Sequence, residues 1–418
     1  MSSAPTTSTA RPVGFAAARE RLLPLFAEIQ AGAVERELEH RLPREEVRQL
    51  AAAGFGALRV PTEFGGSGLT FPEFTELLIE LAAADSNLPQ IFRGHIALVE
   101  DQLVAAPSDR RTAWLERFVA GEIVGNAWSE VGSGALGVSG TVVTERDGGF
   151  VVNGRKFYTT GSIYADWTDA TARLVVEGRP DTEVTVLVRT DQPGVSIADD
   201  WDGFGQQLTG TGTIVFEDAV IDADQVHAFS DRFRYQTALY QHVLIAVHAG
   251  IAAAVEREAG EQIRARTRVY SHGLAPLVKD DGQIQAVVGE ISSIAFVAKQ
   301  TVLGVAAAIE RASVTAADRD SADDLHANIE AEIRSAQAQV VLSELVPRSA
   351  TLLFNTLGAS AVSRTNALDR HWRNARTVAS HNPVIYKTRI VGDWSINGTP
   401  PPFVWAVGTA KPDAPAAP

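Results

Sequence analysis

The sequence predicts an α+β protein made of three consecutive parts: a helical N-terminal domain, a central β-barrel domain and a C-terminal four-helix bundle. Three observations support this division. Apolar residues recur at helical intervals over residues 12–124, short β-rich runs separated by turn residues occupy residues 125–230, and long Ala-rich helical segments fill residues 231–397. Residues 398–418, rich in Pro and Ala, are predicted to form a C-terminal tail.

The N-terminal domain is predicted from amphipathic periodicity and from one strong helix-start signal. Residues 15–30, 45–53 and 71–84 each carry apolar side chains along one helical face. Thr70 precedes the third segment as an N-cap residue, and Pro72 falls in its first turn, where a missing N–H costs little. We therefore expect a helix that begins directly after Thr70.

The central part changes to strand patterns. Runs rich in Val, Thr, Ile and Phe occur at residues 141–144, 150–152, 184–189 and 213–216. Between them lie Asn153-Gly154, Gln192-Pro-Gly194 and Gly210-Thr-Gly212, which are typical of tight turns. Together they indicate a compact all-β unit.

Long helices return in the C-terminal part. The helical segments cover residues 235–268, 283–316, 321–354 and a last stretch that includes 369–380. Small Ala side chains at contact positions allow such helices to pack closely in a four-helix bundle. Residues 287–308 are apolar over more of the helix surface than one neighbour can cover, which favours association between subunits.

Composition excludes several classes of function. The chain has 37 Lys and Arg against 51 Asp and Glu, a formal charge of −14, which argues against nonspecific binding to nucleic acid or anionic membranes. Because the chain has no Cys, disulfides, thiolate metal sites and thiol catalysis are excluded. The start of the chain lacks a signal-peptide core, and we expect a cytoplasmic protein. His242 and His248 are six residues apart, which is not a metal-binding helix spacing, so no metal site is predicted.

The segment from Asp369 to Pro383 is dense in Arg and His. Arg370, Arg373 and Arg376 recur every three residues, so a helix places them along one side, where guanidinium groups suit phosphate or carboxylate recognition. His381 stands two residues before Pro383, where the helix must end, and a histidine there can act as an acid or a base near neutral pH. The alternative is a basic, solvated helix end paired with acidic residues.

Three motifs carry a family resemblance over nearly the whole chain. They are Asn126-Ala-Trp-Ser-Glu-Val-Gly-Ser-Gly134, Gly154-Arg-Lys-Phe-Tyr-Thr-Thr-Gly161 and Trp201-Asp-Gly-Phe-Gly-Gln-Gln-Leu-Thr-Gly210. In this order, and with the three-part architecture, they resemble the acyl-CoA dehydrogenase fold family. That resemblance implies a flavin between the β domain and the bundle, bordered by the first two motifs. The residues of these motifs predicted to contact the flavin are Asn126, Trp128, Ser129, Tyr158, Thr159 and Thr160.

Members of the family that this chain resembles catalyse two kinds of reaction, dehydrogenation and monooxygenation. Dehydrogenases of the family need a glutamate, either in the loop after the last bundle helix or in the first bundle helix ten residues before a glycine. Here the loop reads Val378-Ala-Ser-His-Asn-Pro-Val384, and the second position is Tyr240, ten residues before Gly250. The sequence resembles instead the flavin-dependent monooxygenase branch, which includes dibenzothiophene monooxygenases and sulfone-acquisition enzymes.

The monooxygenase resemblance implies both site residues and a cofactor. His95, Asn126, Thr160 and His381 match residues that border the oxygen and substrate pocket of that branch. The match is uneven, because the branch has a second histidine where this chain has Val378. The resemblance also implies that Arg266 or Arg268, near the end of the first bundle helix, meets the flavin phosphate across a subunit interface, and that Arg373 and Arg376 do similar work from the last helix.

The predicted activity follows from the branch. Reduced FMN, with FAD as the alternative, would come from a separate flavin reductase, and a C4a-(hydro)peroxyflavin would oxygenate a small apolar organosulfur or other heteroatom-containing substrate. Neutral histidines in a water-poor pocket suit the proton transfers of that chemistry. The resemblance also implies a homotetramer. Two alternatives remain open: an FAD-dependent acyl-CoA dehydrogenase with a non-standard base, and a non-catalytic flavin-binding or acyl-binding protein.

Overall fold

The computed structural model describes residues 13–131, 136–146, 148–404, 406 and 408. Its N-terminal part is helical, as predicted. The helices are α1 (Phe15–Ala31), α2 (Ala33–Glu39), α3 (Arg44–Ala52), α4 (Phe71–Ala84), α5 (Leu88–Ile91), α6 (Arg93–Val104) and α7 (Asp109–Ala120). The predicted start of α4 is confirmed: Thr70 and Glu73 form a reciprocal capping box, in which each side chain satisfies a backbone N–H of the other residue.

The central part is a single sheet. Its strands are β1 (Val124–Ala127), β2 (Val142–Arg146), β3 (Gly149–Lys156), β4 (Trp167–Val175), β5 (Thr182–Arg189), β6 (Val195–Ile197), β7 (Ile214–Ile221) and β8 (Val226–Ala228). The order is β6-β7-β3-β2-β4-β5-β8, and β1 pairs in parallel with β4. The inward side chains of six strands share one apolar core, which includes Ala127, Val143, Val152, Ala170, Val186 and Phe216. The sheet therefore curves around its own core, as the predicted barrel requires.

The C-terminal part is a bundle of long helices with two shorter ones. They are α8 (Gln236–Ala265), α9 (Gly282–Thr315), α10 (Ala322–Leu357), α11 (Asp369–Ser380) and α12 (Val384–Asn397). The helix end predicted before Pro383 is confirmed, because α11 ends at Ser380 and α12 begins after the proline. The last helix predicted from the sequence is thus a pair of helices joined at His381.

The N-terminal helices and the bundle share one core rather than two separate ones. Helix α4 packs against α8, and a Cβ added at Gly250 on α8 would lie only 2.2 Å from the Cβ of Ala82 on α4. The two helix axes approach as closely as they do because position 250 has no side chain. This contact fixes α8 beside the N-terminal domain and helps define the space between the three parts.

Two helices are long and apolar enough to cross a membrane by length and composition alone: Gln236–Ala265 and Gly282–Asp318. The apolar window of the first is 89% buried inside the fold, as expected for the core helix of a soluble protein, and that of the second is 44% buried. These two helices are weak evidence for a membrane location.

A buried ionic cluster joins α8 to α11 and predicts acid sensitivity. Glu258 pairs with Arg370, and its Oε2 lies 3.0 Å from Nε2 of His371. Burial alone would raise the pKa of Glu258, but His371 and Arg370 outweigh burial and lower this pKa from 4.5 to about 2. A carboxyl group with a lowered pKa stabilises the fold above the pKa of its unfolded state and loses that contribution as the pH falls.

We therefore expect Glu258→Gln to lower the midpoint of thermal unfolding at neutral pH. The difference from the unmodified protein should shrink as the pH falls from 4.5 towards about 2, the interval between the unfolded and folded pKa values. Calorimetry from about pH 7 downwards measures this difference. Glu261→Gln, an exposed change on the same helix, is the matched control and should leave the profile unchanged. A difference for Glu258→Gln that does not vary with pH would contradict the assignment.

Candidate active site

Part of the predicted site, namely Asn126, Trp128, Thr160 and His381, lies where the three parts of the chain meet. The N-terminal turn of α6, strand β1, the first half of α8 and the α11–α12 junction all face this region. A Cβ added at Gly94 on α6 would lie 2.9 Å from the backbone nitrogen of Asn126 on β1, so this glycine permits the close approach of helix and strand. The packing places the end of β1 opposite α8 and His381.

Asn126 is buried at the end of β1. Its backbone N–H donates to Thr160 O at 3.3 Å, while its side-chain amide makes no hydrogen bond with any described residue, and its Oδ1 is buried. Leaving a buried amide unpaired costs about 1–3 kcal/mol. Such a group is expected where a ligand completes the hydrogen bonding, and this supports the predicted role of Asn126.

Trp128 forms an aromatic surface at the end of β1. The Trp128 ring packs edge-to-face on Tyr240 at a centroid distance of 5.3 Å. In a second contact, the Arg232 guanidinium lies 4.8 Å from the centroid of the Trp128 ring. Ser129 is exposed, and its carbonyl accepts from Phe157 N–H at 2.9 Å, which joins the two flavin motifs of the sequence. Trp128 and Ser129 therefore continue from Asn126 between α8 and the second flavin motif.

Thr160 ends a chain of three threonine hydroxyls with a defined direction. Thr209 Oγ1 donates to Gln206 O at 2.8 Å, so Thr209 must accept from Thr211 at 2.7 Å. Thr211 must then accept from Thr160 at 2.8 Å. Because each hydroxyl has one proton, the proton of Thr160 points along this chain, and its oxygen is left only as an acceptor.

Tyr158 and Thr159 are held by the local backbone. Tyr158 has φ +58°, in the left-handed region that non-glycine residues rarely occupy, and its ring is half-exposed at 6.0 Å from Trp201. The backbone N–H and hydroxyl of Thr159 both donate to Gly212 O at 3.0 Å. The Thr159 side chain thus stabilises the turn, whereas the Tyr158 ring remains available to a ligand.

His381 is the solvent-accessible histidine of this region. It follows α11 as the C-cap residue. Part of the residue is accessible to solvent, while neighbouring protein atoms surround and desolvate the imidazole ring. Desolvation by that surrounding protein and the positive charge of Arg93 lower the pKa of His381, while the Asn382 side chain opposes the shift. Asn382 is itself fixed, since its Nδ2 donates to Gln241 Oε1 at 2.8 Å and its carbonyl accepts from Gln339 at 2.8 Å. A neutral imidazole is therefore presented on a rigid junction.

His95 has a different environment from the one predicted. It is 1% exposed, its Nε2 lies 2.9 Å from Gly56 O, and Val124 N–H donates to its Nδ1 at 3.3 Å. Since Nδ1 accepts, Nε2 carries the proton and donates, so backbone groups occupy both nitrogens. Burial lowers the pKa of His95 to about 4. This geometry favours a positioning role, in which His95 joins α6 to β1, over the predicted catalytic role.

The arginines predicted to meet a phosphate fall into two groups. Arg373 uses every donor nitrogen inside the chain: it bonds Asp369 at 2.8 Å, Phe204 O at 2.8 Å and Glu37 at 2.8 Å. Arg376 donates to Ser380 Oγ at 2.6 Å on the surface. The arginine row of α11 is thus largely consumed by internal contacts, and we do not propose Arg373 as a flavin ligand.

Arg266 and Arg268 border an open recess beyond the end of α8, together with Tyr270, Leu357 and Ser360. Arg266 is committed to the chain itself, because its guanidinium donates to Leu357 O and, at 3.3 Å, to Arg268 O. The Arg268 side chain is exposed and makes no ion pair with the described residues. Of the two, Arg268 has the guanidinium available for a phosphate.

Models of the acyl-CoA dehydrogenase N-terminal, middle and C-terminal domains match residues 18–122, 127–219 and 242–385. The chain belongs to the acyl-CoA dehydrogenase family. The three matched domains are the helical domain, the sheet and the bundle, in the order in which the structure contains them.

Similar members of this acyl-CoA dehydrogenase family are monooxygenases. The dibenzothiophene monooxygenase of Mycolicibacterium goodii is 28% identical over 386 residues, which span 88% of this chain and 91% of that protein. The probable FMNH2-dependent monooxygenase SfnC of Pseudomonas putida is 25% identical over 410 residues, 95% of this chain and 98% of that protein. The structure of TdsC from Paenibacillus sp. A11-2 with FMN and indole has a TM-score of 0.84 and 27% identity, covering 92% of this chain and 98% of TdsC.

The residues of this family member fit a flavin. The unpaired amide of Asn126, the acceptor oxygen of Thr160 and the aromatic surface of Trp128 suit the polar edge and flat face of the ring system. The exposed Arg268 suits a phosphate.

Sequence reasoning missed two residues of the site. Arg93 lies two residues before His95, and Tyr240 is the position at which a dehydrogenase base is absent. The Arg93 guanidinium lies 5.2 Å from the Tyr240 ring centroid, and both are largely buried beside His381. No sequence signal distinguishes Arg93 from a surface arginine, because its burial depends on the packing of α6 against α8.

Proposed function

We propose that this chain is a reduced-FMN-dependent monooxygenase that transfers one oxygen atom of O2 to an organosulfur substrate. The observation that carries the proposal is the residue at the α11–α12 junction. A solvent-accessible histidine with a lowered pKa stands there, and Tyr240 stands at the other position where a dehydrogenase would present its glutamate. The monooxygenase relatives and the FMN-bound structure of TdsC support the same chemistry.

The roles of the residues follow from their hydrogen-bonding capacity. Bound reduced FMN supplies two electrons and activates O2. His381, neutral at physiological pH, accepts and returns a proton near the reacting oxygen. Thr160 accepts a hydrogen bond from a donor in the pocket, and Asn126 orients the flavin through its free amide. The half-buried rings of Trp128 and Tyr240 shield one side of this region from water.

The direct test is oxygen incorporation. Purified protein, a flavin reductase, NADH and FMN are incubated with dibenzothiophene under 18O2, and the product is analysed by mass spectrometry. One 18O atom for each oxygenation event, absent without the protein, is the expected result. The dehydrogenase alternative predicts no labelled product but anaerobic bleaching of tightly bound FAD by an acyl-CoA, and that outcome would replace the proposal.

The subunit arrangement and location also belong to this proposal. We infer a homotetramer in the cytoplasm that receives reduced FMN from a separate flavin reductase. Support for association comes from α9, where the apolar side chains of Phe296 and Val297 are 66% and 40% exposed. Such an apolar face on a long helix is typical of a subunit interface. Sedimentation equilibrium measures the oligomeric state directly.

Arg268 is expected to bind the FMN phosphate. Arg268→Ala should weaken FMN binding about 10–100-fold, since a charge-assisted contact contributes about 1.5–3 kcal/mol. Fluorescence titration of FMN measures the dissociation constant. Arg264→Ala, an exposed change one turn earlier, is the matched control and should have no effect. An unchanged dissociation constant for Arg268→Ala would place the phosphate elsewhere.

A further inference from the structure

Arg93 is a buried cation without a counterion. It is 6% exposed, its Nε is buried without a hydrogen-bond partner, and no carboxylate or carbonyl among the described residues accepts from its guanidinium. The other buried arginines differ: Arg36 pairs with Asp85 at 2.9 Å, and Arg232 pairs with Asp169 at 3.0 Å. Arg93 is therefore an exception to the rule that buried charges in proteins are paired.

The surroundings of Arg93 are the proposed active site. Its guanidinium lies 5.2 Å from the Tyr240 ring centroid, and the same ring contacts Trp128 at 5.3 Å. Its positive charge acts on His381 and Tyr240, the titratable groups that face it. Burial lowers the pKa of Arg93 to about 10, so the group still carries its charge at neutral pH.

Tyr240 adds a second unsatisfied donor to the same place. Its hydroxyl oxygen is buried and makes no hydrogen bond with the described residues. Burial raises the pKa of this phenol, so it remains protonated and able to donate. The Arg93 guanidinium lies over the ring that carries this hydroxyl, and a planar fork of donors together with a phenol O–H suits a compact oxyanion.

We propose that Arg93, assisted by Tyr240, binds an anionic oxygen group of the substrate, so that the preferred substrate is an organosulfur compound carrying a carboxylate or sulfinate on a small apolar frame. This proposal rests on the oxygenase function proposed above and narrows its substrate class. An anion supplies the missing counterion, and the energy of desolvating Arg93 is already spent before the substrate binds. The aromatic rings of Tyr240 and Trp128 contact the apolar frame.

The reaction balances with the reagents of the proposed function. For a thioether acid, one atom of O2 forms an S–O bond and gives the sulfoxide, so sulfur loses two electrons. The other atom leaves as water, using the two electrons of reduced FMN and two protons. For a sulfinate, the same transfer gives the sulfonate.

A matched pair of substrates isolates the charge. The pair is (phenylthio)acetate and its methyl ester, which share the thioether and the ring. A second pair, benzenesulfinate and methyl phenyl sulfoxide, tests whether the anion is itself the oxygen acceptor. We expect kcat/KM to favour the anion about 10–100-fold in at least one pair. The pair that shows this preference tells whether the site recognises a carboxylate beside the thioether or the sulfinate that is itself oxygenated.

The variants separate binding of the anion from a structural role. Arg93→Met keeps the length of the side chain but removes its charge, and it should abolish the preference by raising KM for the anion relative to KM for the neutral partner, whatever change in kcat the two partners share. Tyr240→Phe keeps the ring and should reduce the preference partly. Equal rates for anion and neutral partner in the unmodified enzyme would overturn the proposal. So would an equal loss for both partners in Arg93→Met with weaker FMN binding, because that result assigns Arg93 to the fold or to the flavin.

Equilibrium binding makes the proposal independent of turnover. Calorimetric titration of the flavin-free protein with each partner measures the dissociation constants directly. Preferential binding of the anion that is lost in Arg93→Met supports the proposal even if no substrate is oxygenated, and absence of oxygenation then counts against the proposed function alone. Equal binding of both partners overturns the anion site whatever the activity. If Arg93→Met does not fold, Tyr240→Phe provides the same comparison.

Discussion

His381→Ala is expected to lower oxygenated product by about 10²–10⁴-fold, the usual contribution of a positioned general acid or base. FMN binding should change by less than about threefold, because the predicted phosphate contact is at Arg268 rather than at the α11–α12 junction. Oxygen consumption should continue and yield hydrogen peroxide, since reduced flavin still reacts with O2 when proton transfer at the site fails. The measurement is product by chromatography together with peroxide in the same reaction.

Two further results give this experiment its specificity. Added imidazole should restore part of the product formed by His381→Ala, which a purely structural role would not allow. His272→Ala removes an exposed histidine in the loop after α8 and is the matched control, with no expected change. Full product formation by His381→Ala would remove this residue from the mechanism.

Asp169→Asn is expected to lower the midpoint of thermal unfolding by about 3–6 °C, because breaking a buried ion pair costs about 3–5 kcal/mol. Asp169 on β4 and Arg232, which precedes α8, pair at 3.0 Å with side-chain exposures of 1% and 3%. The pair joins the sheet to the bundle beneath Trp128. Removal of the carboxylate leaves a buried guanidinium without its partner.

A double-mutant cycle separates the pair from its surroundings. Asp169→Asn combined with Arg232→Met should be less destabilising than the sum of the two single changes, because neither charge is then left unpaired. Differential scanning calorimetry at fixed FMN and protein concentration measures all four proteins. Additive losses would show that the two side chains do not interact in this way.

The helices were predicted well because their signals are local. The N-cap at Thr70 and the helix break before Pro383 depend on residues three or fewer positions apart, and both occur where predicted. Strand β4 was missed. It carries Asp169, a residue that disfavours strands, and only the distant Arg232 makes its burial tolerable. The residue pattern within one strand cannot reveal an ion-pair partner that lies far away in the sequence.

The candidate site shows the same division. The sequence by itself determined the α+β class, the three-part order, the flavin motifs and a histidine at a helix break, because periodicity, turn chemistry and motif order are properties of neighbouring residues. Only the tertiary structure decided which charges are free. Arg373 is held by Asp369, Phe204 and Glu37, while Arg93 lies over the Tyr240 ring with no carboxylate partner among the described residues. Since the free energy of a charge depends on burial and on groups far away in the chain, its role follows from packing and not from spacing.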